Sequence, residues 1–308
     1  MNYLILTTAL WAFSFSLIGV YLAGQVDPWF CIAMRIALSS CLFIPFLIKH
    51  KTKYKLLTHQ KLQLMLIGSI QLSMMYFFLY QSFQFLSVPE VVLFTVFTPI
   101  YISLIDNLYD KKFSRLYFMT AGIAVIGAYI IRYTQPQSNF LLGFFIVQGS
   151  NVTFALGQVA YKRLVAAQLR HIPQSYIFGW FYLGAFALSL VSLLCFGNFD
   201  KLPQTTTHWV VLTYLGLVAS GLGFFMWNKG ATLVKVGQLS IMNNALVPAG
   251  VLVNLFLWGK NTDYLQLFYG TIIILFSLFV NYYWVEPRVT SKNKDDSQYR
   301  NTQLSTPS

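Results

Sequence analysis

The chain consists of long apolar segments separated by short polar loops. A helix needs about 20 residues to cross the hydrocarbon core of a bilayer, which is about 30 Å thick. Only 10% of the residues are charged, against about 25% in soluble domains. The sequence therefore predicts an all-α membrane protein with ten transmembrane helices in a lipid bilayer. The predicted segments are 3–22, 29–48, 62–82, 88–105, 116–132, 140–161, 175–196, 208–227, 237–257 and 264–284.

The positions of the basic residues predict how these helices are oriented. If the N-terminus is cytoplasmic, 17 of the 21 Lys and Arg residues fall in cytoplasmic loops or in the C-terminal tail, and three fall at outer ends. The remaining one, Arg35, lies inside the second segment. An excess of Lys and Arg on the cytoplasmic side is typical of membrane proteins. Both termini are therefore predicted to be cytoplasmic, and topology rather than nucleic-acid binding explains much of the net charge of +12.

Two pairs of prolines suggest an internal repeat. Pro28 opens the second segment and Pro173 precedes the seventh, 145 residues later. Pro99 in the fourth segment corresponds to Pro248 in the ninth, 149 residues later. Because each half has an odd number of segments, the second half would cross the membrane in the opposite direction, as in secondary transporters with inverted repeats. The predicted organisation is a first repeat at 1–134, a second repeat at 135–286 and a disordered cytoplasmic tail at 287–308.

Amide side chains inside two segments are candidates for a substrate site. Asn243 and Asn244 lie in an otherwise apolar run, and the sixth segment carries Gln148, Asn151 and Gln158 on one helical face. A buried amide is costly unless it finds a partner. These amides therefore either join neighbouring helices or line a pathway for a small molecule.

Aromatic residues at similar depths either pack the helices or complete such a site. With 18% aromatic residues in the chain, each one taken singly favours packing or the membrane interface. As a set with the amides, they suit a ligand with a flat polar head and an apolar stem. The aromatic candidates are Trp11, Phe15, Tyr76, Trp180 and Trp227.

Two charged residues inside the segments each have two possible roles. Arg35 lies about 10 Å below Pro28 along the helix, where a guanidinium must find a partner or reach an interface. It either binds an anionic substrate or pairs with a neighbouring helix. Glu90 either forms a capping box with Ser87 at the start of the fourth segment or couples proton movement to transport.

Several function classes have no support in the sequence. The histidines lie in loops or at segment ends, and the cysteines lie in apolar runs without the spacing of metal ligands. The sequence has no zinc-protease motif and no phosphate-binding loop. We therefore predict no catalytic residue, no metal, no cofactor and no ATPase domain in this chain, and we regard an enzyme or a structural scaffold as poor explanations.

Several stretches resemble a known group of carriers. LWAFSFSLIGVYLAGQVDPWFCIAMR and PEVVLFTVFTPIY are similar to sequences of the drug/metabolite transporter superfamily, of the EamA type. ALWAFSF, WFYLGAF, VASGLGFFMWN and IMNNALVPAG resemble the biotin carriers of its carboxylate/amino acid/amine branch. Many superfamily members have Leu-Gly-Glu at the ends of segments four and nine, where this chain has Leu104-Ile105-Asp106 and Trp258-Gly259-Lys260. A role for that glutamate therefore does not carry over.

The resemblance implies a ten-helix carrier with inverted repeats in the bacterial inner membrane. It further implies secondary transport that imports biotin, or another carboxylate, by alternating access. An exporter of amino acids, amines or other small metabolites on the same fold is the alternative, since the residues themselves do not set the direction of transport.

Overall fold

The computed structural model describes residues 2–50, 52–110, 139–234 and 236–258, and isolated positions between 265 and 284. By its contacts the chain divides into two units. One comprises Met1–Ile102 with Ser138–Asn261, and the other comprises Ser103–Gln137 with Thr262–Ser308. The candidate site lies within the first unit.

The described residues form long helices without strands, which confirms the all-α prediction for this part of the chain. The first seven helices are long and apolar enough to cross a membrane. The predicted segment 116–132 lies outside the described residues, and 264–284 is described only at scattered positions. The count of ten helices therefore stays a prediction. The helices are α1 Asn2–Leu22, α2 Pro28–His50, α3 Thr58–Ser82, α4 Val88–Tyr109, α5 Phe140–Gln168, α6 Gln174–Phe196, α7 Thr206–Leu233 and α8 Val236–Trp258.

Polar side chains fix the start of two helices. At α2, Oδ1 of Asp27 accepts a hydrogen bond from the backbone N–H of Phe30 at 2.8 Å. Its Oδ2 accepts from the N–H of Asn198 at 3.1 Å, which ties the loop after α6 to this helix end. At α4, the N–H of Ser87 donates to Oε2 of Glu90 at 2.7 Å, so that the predicted capping box is present. Buried carboxylates thus supply acceptors for N–H groups that a helix end leaves free.

Helices α3 and α6 pack at unusually close range. A Cβ atom added to Gly184 would collide with the backbone of Met65. At this contact Oγ of Ser69 donates to the carbonyl of Gly184 at 2.9 Å, and Oγ of Ser73 donates to the carbonyl of Ala185 at 2.7 Å. Small residues allow such approach in membranes, where interhelical hydrogen bonds and packing hold helices together.

Four of these helices contain irregular segments. Segments Ile18–Leu22 in α1, Ser69–Met74 in α3 and Tyr214–Gly223 in α7 are π-helical, and Thr95–Phe97 in α4 forms a 3₁₀ turn. Departures of this kind recur at functional sites because they redirect side chains and free backbone groups.

Side chains from other helices bind the backbone carbonyls of the π-helical part of α7. Oγ of Ser39 donates to the carbonyl of Gly216 at 2.8 Å, and Nε1 of Trp11 donates to that of Ala219 at 2.8 Å. Oη of Tyr182 donates to the carbonyl of Ser220 at 2.6 Å. Since unpaired backbone groups are costly inside a bilayer, these bonds stabilise the irregular segment.

Candidate functional site

A cavity opens among seven helices of the first unit, beside the irregular segments of α3, α4 and α7. It encloses about 650 Å³ of empty space, including space open to solvent. Its polar wall consists of Ser14, Arg35, Thr95, Thr98, Ser150, Asn151 and Asn243, and its aromatic wall of Trp11, Phe15, Tyr76, Phe154 and Phe224.

Arg35 supplies a buried positive charge in the wall of this cavity. Only 1% of the residue is exposed. Its guanidinium donates from Nη2 to Oη of Tyr76 at 2.9 Å, from Nη1 to Oη of Tyr80 at 3.2 Å and from Nε to Oγ of Ser220 at 3.1 Å. These acceptors are neutral hydroxyls, so the hydrogen bonds position the guanidinium without neutralising it.

Hydrogen bonds hold Asn151 in a defined orientation in the same polar wall. Its Nδ2 donates to the carbonyl of Phe94 at 2.8 Å and to Oε1 of Gln148 at 3.0 Å. Its Oδ1 accepts from Oγ1 of Thr98 at 3.2 Å. The carbonyl of Phe94 lies at the start of the 3₁₀ turn of α4, so Asn151 binds this helix where it is irregular.

Asn243 lines the same cavity from α8. Its Nδ2 donates to the carbonyl of Leu239 at 3.0 Å, and the residue is 7% exposed. The structure thus brings together Asn151 and Asn243, the amides that the sequence placed on two separate segments. Both N–H groups of Asn151 are bound within the protein, so the two residues offer the cavity their amide oxygens and the second N–H of Asn243.

The aromatic rings pack against one another at one end of the cavity. Trp11 lies with its ring centre 4.8 Å from that of Phe224, 6.0 Å from Phe154 and 5.1 Å from Trp227. Phe154 and Trp227 are 6.4 Å apart. We call the three rings that line the cavity, those of Trp11, Phe154 and Phe224, the aromatic layer.

Most of the candidates from the sequence meet at this cavity, and the others have different surroundings. Gln148 lies behind Asn151 as its hydrogen-bond partner. Trp227 is fully buried behind Trp11. Trp180 is half-buried beneath the ammonium group of Lys61, whose Nζ lies 5.0 Å from the ring centre. The candidates that line the cavity are Trp11, Phe15, Arg35, Tyr76, Asn151 and Asn243.

Two further candidates are placed differently. Glu90 is 4% exposed and caps α4. The side chain of Asn244 lies outside the described residues.

Sequence reasoning missed several lining residues. Thr95 and Thr98 flank the 3₁₀ turn next to Pro99, and the presence of that proline in a membrane helix was an available signal. Phe154 follows Asn151 by three residues and so shares its helical face. Phe224 carried no signal among 28 phenylalanines.

Comparison with known families places this chain among transporters. The family model described as "EamA-like transporter family" matches residues 1–133 and again residues 141–283. The chain belongs to the EamA-like transporter family. This family and the apolar helices identify a multi-pass membrane protein.

This EamA-like transporter is similar over nearly its whole length to curated proteins. It is 48% identical over 297 residues to the biotin transporter of Escherichia coli, and the alignment covers 96% of this chain and 97% of that protein. It is 46% identical over 297 residues to the biotin transporter of Salmonella typhimurium, and the alignment again covers 96% of this chain and 97% of that protein. It is 44% identical over 282 residues to the probable biotin transporter of Pseudomonas aeruginosa, covering 91% of this chain and 97% of that protein.

One protein of known crystal structure shares the fold of this EamA-like transporter. The two align with a TM-score of 0.63, covering 94% of this chain and 98% of the other at 15% sequence identity. At that identity the likeness concerns the fold alone.

Proposed function

We propose that this chain is a secondary transporter that imports biotin across the bacterial inner membrane by alternating access. The sequence identity of 44–48% to proteins named biotin transporter or probable biotin transporter supports biotin as the substrate. Biotin combines a carboxylate with a cyclic urea, a fused ring and an apolar chain, and the cavity offers a matching group for each of these parts.

The observation that carries the proposal is the buried charge of Arg35. A charge removed from water is costly unless an opposite charge or strong hydrogen bonds compensate it. Three of its N–H groups bind hydroxyls, and a guanidinium has further N–H donors beyond these. A substrate carboxylate in the cavity would accept from the remaining donors and provide the missing negative charge.

The amides and aromatic residues of the cavity suit the rest of the molecule. A cyclic urea has one carbonyl acceptor and two N–H donors. The amide oxygens of Asn151 and Asn243 can accept from the N–H groups, and the second Nδ2 N–H of Asn243 can donate to the carbonyl. Trp11, Phe15 and Tyr76 provide apolar surface for the fused ring and the chain. The carboxylate at Arg35 and the urea at the amides would fix the orientation of the substrate.

We also propose ten helices in two inverted repeats with cytoplasmic termini. The family model matches the two consecutive halves of the chain. The π-helical segments of α3 and α7 begin at Ser69 and Tyr214, 145 residues apart, and end at Met74 and Gly223, 149 residues apart. These offsets equal those of the two proline pairs in the sequence. This agreement supports the proposed repeat, in which the two segments would be equivalent.

Uptake of labelled biotin into bacteria that lack both biotin synthesis and their own carrier tests this function. We expect expression of the chain to produce saturable uptake that excess unlabelled biotin competes away. A correctly inserted protein that takes up no biotin would contradict the proposed substrate and direction. Export of amino acids or amines would then be the next function to measure.

A further inference from the structure

A second group of buried polar side chains lies beyond the aromatic layer. We call Gln71, Gln158, Trp227 and Asn228 the inner amide cluster. All four are 0% exposed. One hydrogen bond joins two of them, from Nε2 of Gln71 to Oδ1 of Asn228 at 3.1 Å. In the described part of the chain, Oε1 of Gln71, both amide atoms of Gln158 and Nε1 of Trp227 are buried without a hydrogen-bond partner.

The cluster is adjacent to the cavity but separated from it by rings. Gln158 follows Phe154, which lines the cavity, by one turn of α5. Trp227, which does not line the cavity, packs against Trp11 with the ring centres 5.1 Å apart and the rings tilted by 35°. Gln71 packs beside Gly157, the neighbour of Gln158 in the chain. A substrate that leaves the cavity past the aromatic layer, towards the start of α1, would meet these side chains next.

Unpaired polar atoms at full burial call for a physical explanation. Most buried polar groups in proteins have hydrogen-bond partners, and inside a bilayer each unpaired group costs several kcal/mol. Here four such atoms belong to one cluster. If these positions served only for packing between helices, apolar residues would be sufficient. The cost is removed if a ligand or water pairs with them in another state of the transport cycle.

The unpaired atoms include the kinds of donor and acceptor that a cyclic urea pairs with. Nε2 of Gln158 and Nε1 of Trp227 are donors that one urea carbonyl can accept from. Oε1 of Gln71 and Oε1 of Gln158 are acceptors for the two urea N–H groups. No member of the cluster carries a charge, so the site would select this polar head rather than the carboxylate.

We infer that the inner amide cluster is a second binding site, which receives the cyclic urea of the substrate when the aromatic layer opens. This inference rests on the proposed function, because it takes a urea-containing carboxylate as the transported molecule. The cavity binds the substrate first, through Arg35, Asn151 and Asn243. The inner amide cluster then binds the polar head of the substrate during passage. The second site thus lowers the cost of moving a polar head through an apolar part of the bundle.

Exchange and binding assays on the full chain in proteoliposomes test this inference. Gln158→Leu removes a donor and an acceptor, and Trp227→Phe removes the indole N–H together with part of the ring that packs against Trp11. We expect both variants to slow the exchange of labelled biotin, Gln158→Leu by about tenfold, which corresponds to about 1.4 kcal/mol. Equilibrium binding of biotin should change by less than about twofold, because the cavity site is intact. Gln84→Leu, at an exposed glutamine, is the matched control and should behave as the wild type.

A ligand change identifies the group that the cluster contacts. With 2-thiobiotin, whose thiocarbonyl is a weaker acceptor, we expect Gln158→Leu to slow exchange by less than about threefold, since coupled partners give non-additive effects. If Gln158→Leu slows the exchange of both ligands equally, or of neither, the inference is wrong. The cluster would then bind water or serve the packing of helices. If the wild type neither binds nor exchanges biotin, the proposed function fails and the inference falls with it.

Discussion

The guanidinium of Arg35 lies 4.1 Å from the ring centre of Tyr76 and donates to the hydroxyl of the same tyrosine at 2.9 Å. One residue of α3 thus contacts the cation by its ring and by its hydroxyl. Cation–π contact stabilises a desolvated guanidinium, and the hydrogen bond fixes its orientation. The charge is therefore held in the cavity wall before a ligand arrives, which reduces the ordering cost of binding.

Removal of the Tyr76 hydroxyl should weaken substrate binding. Tyr76→Phe keeps the ring but deletes the hydrogen bonds to Arg35 and to Oγ of Ser220, which lies 2.8 Å away. We expect biotin affinity to fall by about three- to tenfold, corresponding to about 0.5–1.5 kcal/mol for a hydrogen bond. Equilibrium binding to purified protein measures this loss. Tyr214→Phe, which loses a bond to the carbonyl of Leu10 outside the cavity wall, is the control, and an equal loss there would contradict this role of Tyr76.

Replacement of the two cavity amides should abolish uptake. Asn151→Leu together with Asn243→Leu removes polar groups that two helices contribute to the cavity, and it should leave membrane insertion intact because leucine is favourable in a membrane helix. Labelled-biotin uptake, normalised to inserted protein, measures the effect. Asn254→Leu changes a buried amide that bonds Ser16 instead, and it should retain uptake. Normal uptake by the double variant would show that the cavity is not the substrate site.

The cap at α4 predicts how Glu90 responds to substitution. Glu90→Gln keeps a side-chain oxygen that accepts from the N–H of Ser87. We therefore expect uptake and its dependence on the proton gradient to be unchanged. Glu90→Leu loses the cap and should lower stability by about 0.5–2 kcal/mol. Uptake with and without an uncoupler is the measurement, and loss of gradient dependence in Glu90→Gln would assign a coupling role to this carboxylate.

The close contact of α3 with α6 predicts a large effect at one glycine. Gly184→Val would force a side chain into the backbone of Met65. Overpacking typically costs about 1–3 kcal/mol, so the thermal midpoint of the solubilised protein should fall. Leu190→Val, at a partly exposed position of the same helix, is the control. A similar midpoint for both variants would mean that α3 and α6 can separate at this contact without cost.

Local signals in the sequence predicted the helices and their starts. Asp27 precedes Pro28, and Ser87 precedes Glu90, so each cap lies within a few residues of the helix that it begins. Length and hydropathy then fix the spans, because the bilayer imposes the same thickness on every helix. Asn151 and Asn243 were also recognisable, since an amide in an apolar run is rare and costly.

The parts that the sequence did not predict depend on contacts between distant residues. The irregular part of α7 relies on the bond from Trp11 to Ala219, which are 208 positions apart. Trp180 and Trp11 look alike in the sequence, and only the packing of the helices places one beneath Lys61 and the other at the cavity. In the same way, Gln148 pairs with Asn151 whereas Gln158 has no partner among the described residues.

The most direct test of the account compares biotin with its neutral amide, biotinamide, in equilibrium binding to the wild type and to Arg35→Gln. The wild type should prefer biotin by at least about tenfold, since the carboxylate supplies the charge that the buried guanidinium lacks. Glutamine retains hydrogen bonding without the charge, so Arg35→Gln should bind the two ligands equally. An unchanged preference for biotin in Arg35→Gln would show that another group recognises the carboxylate.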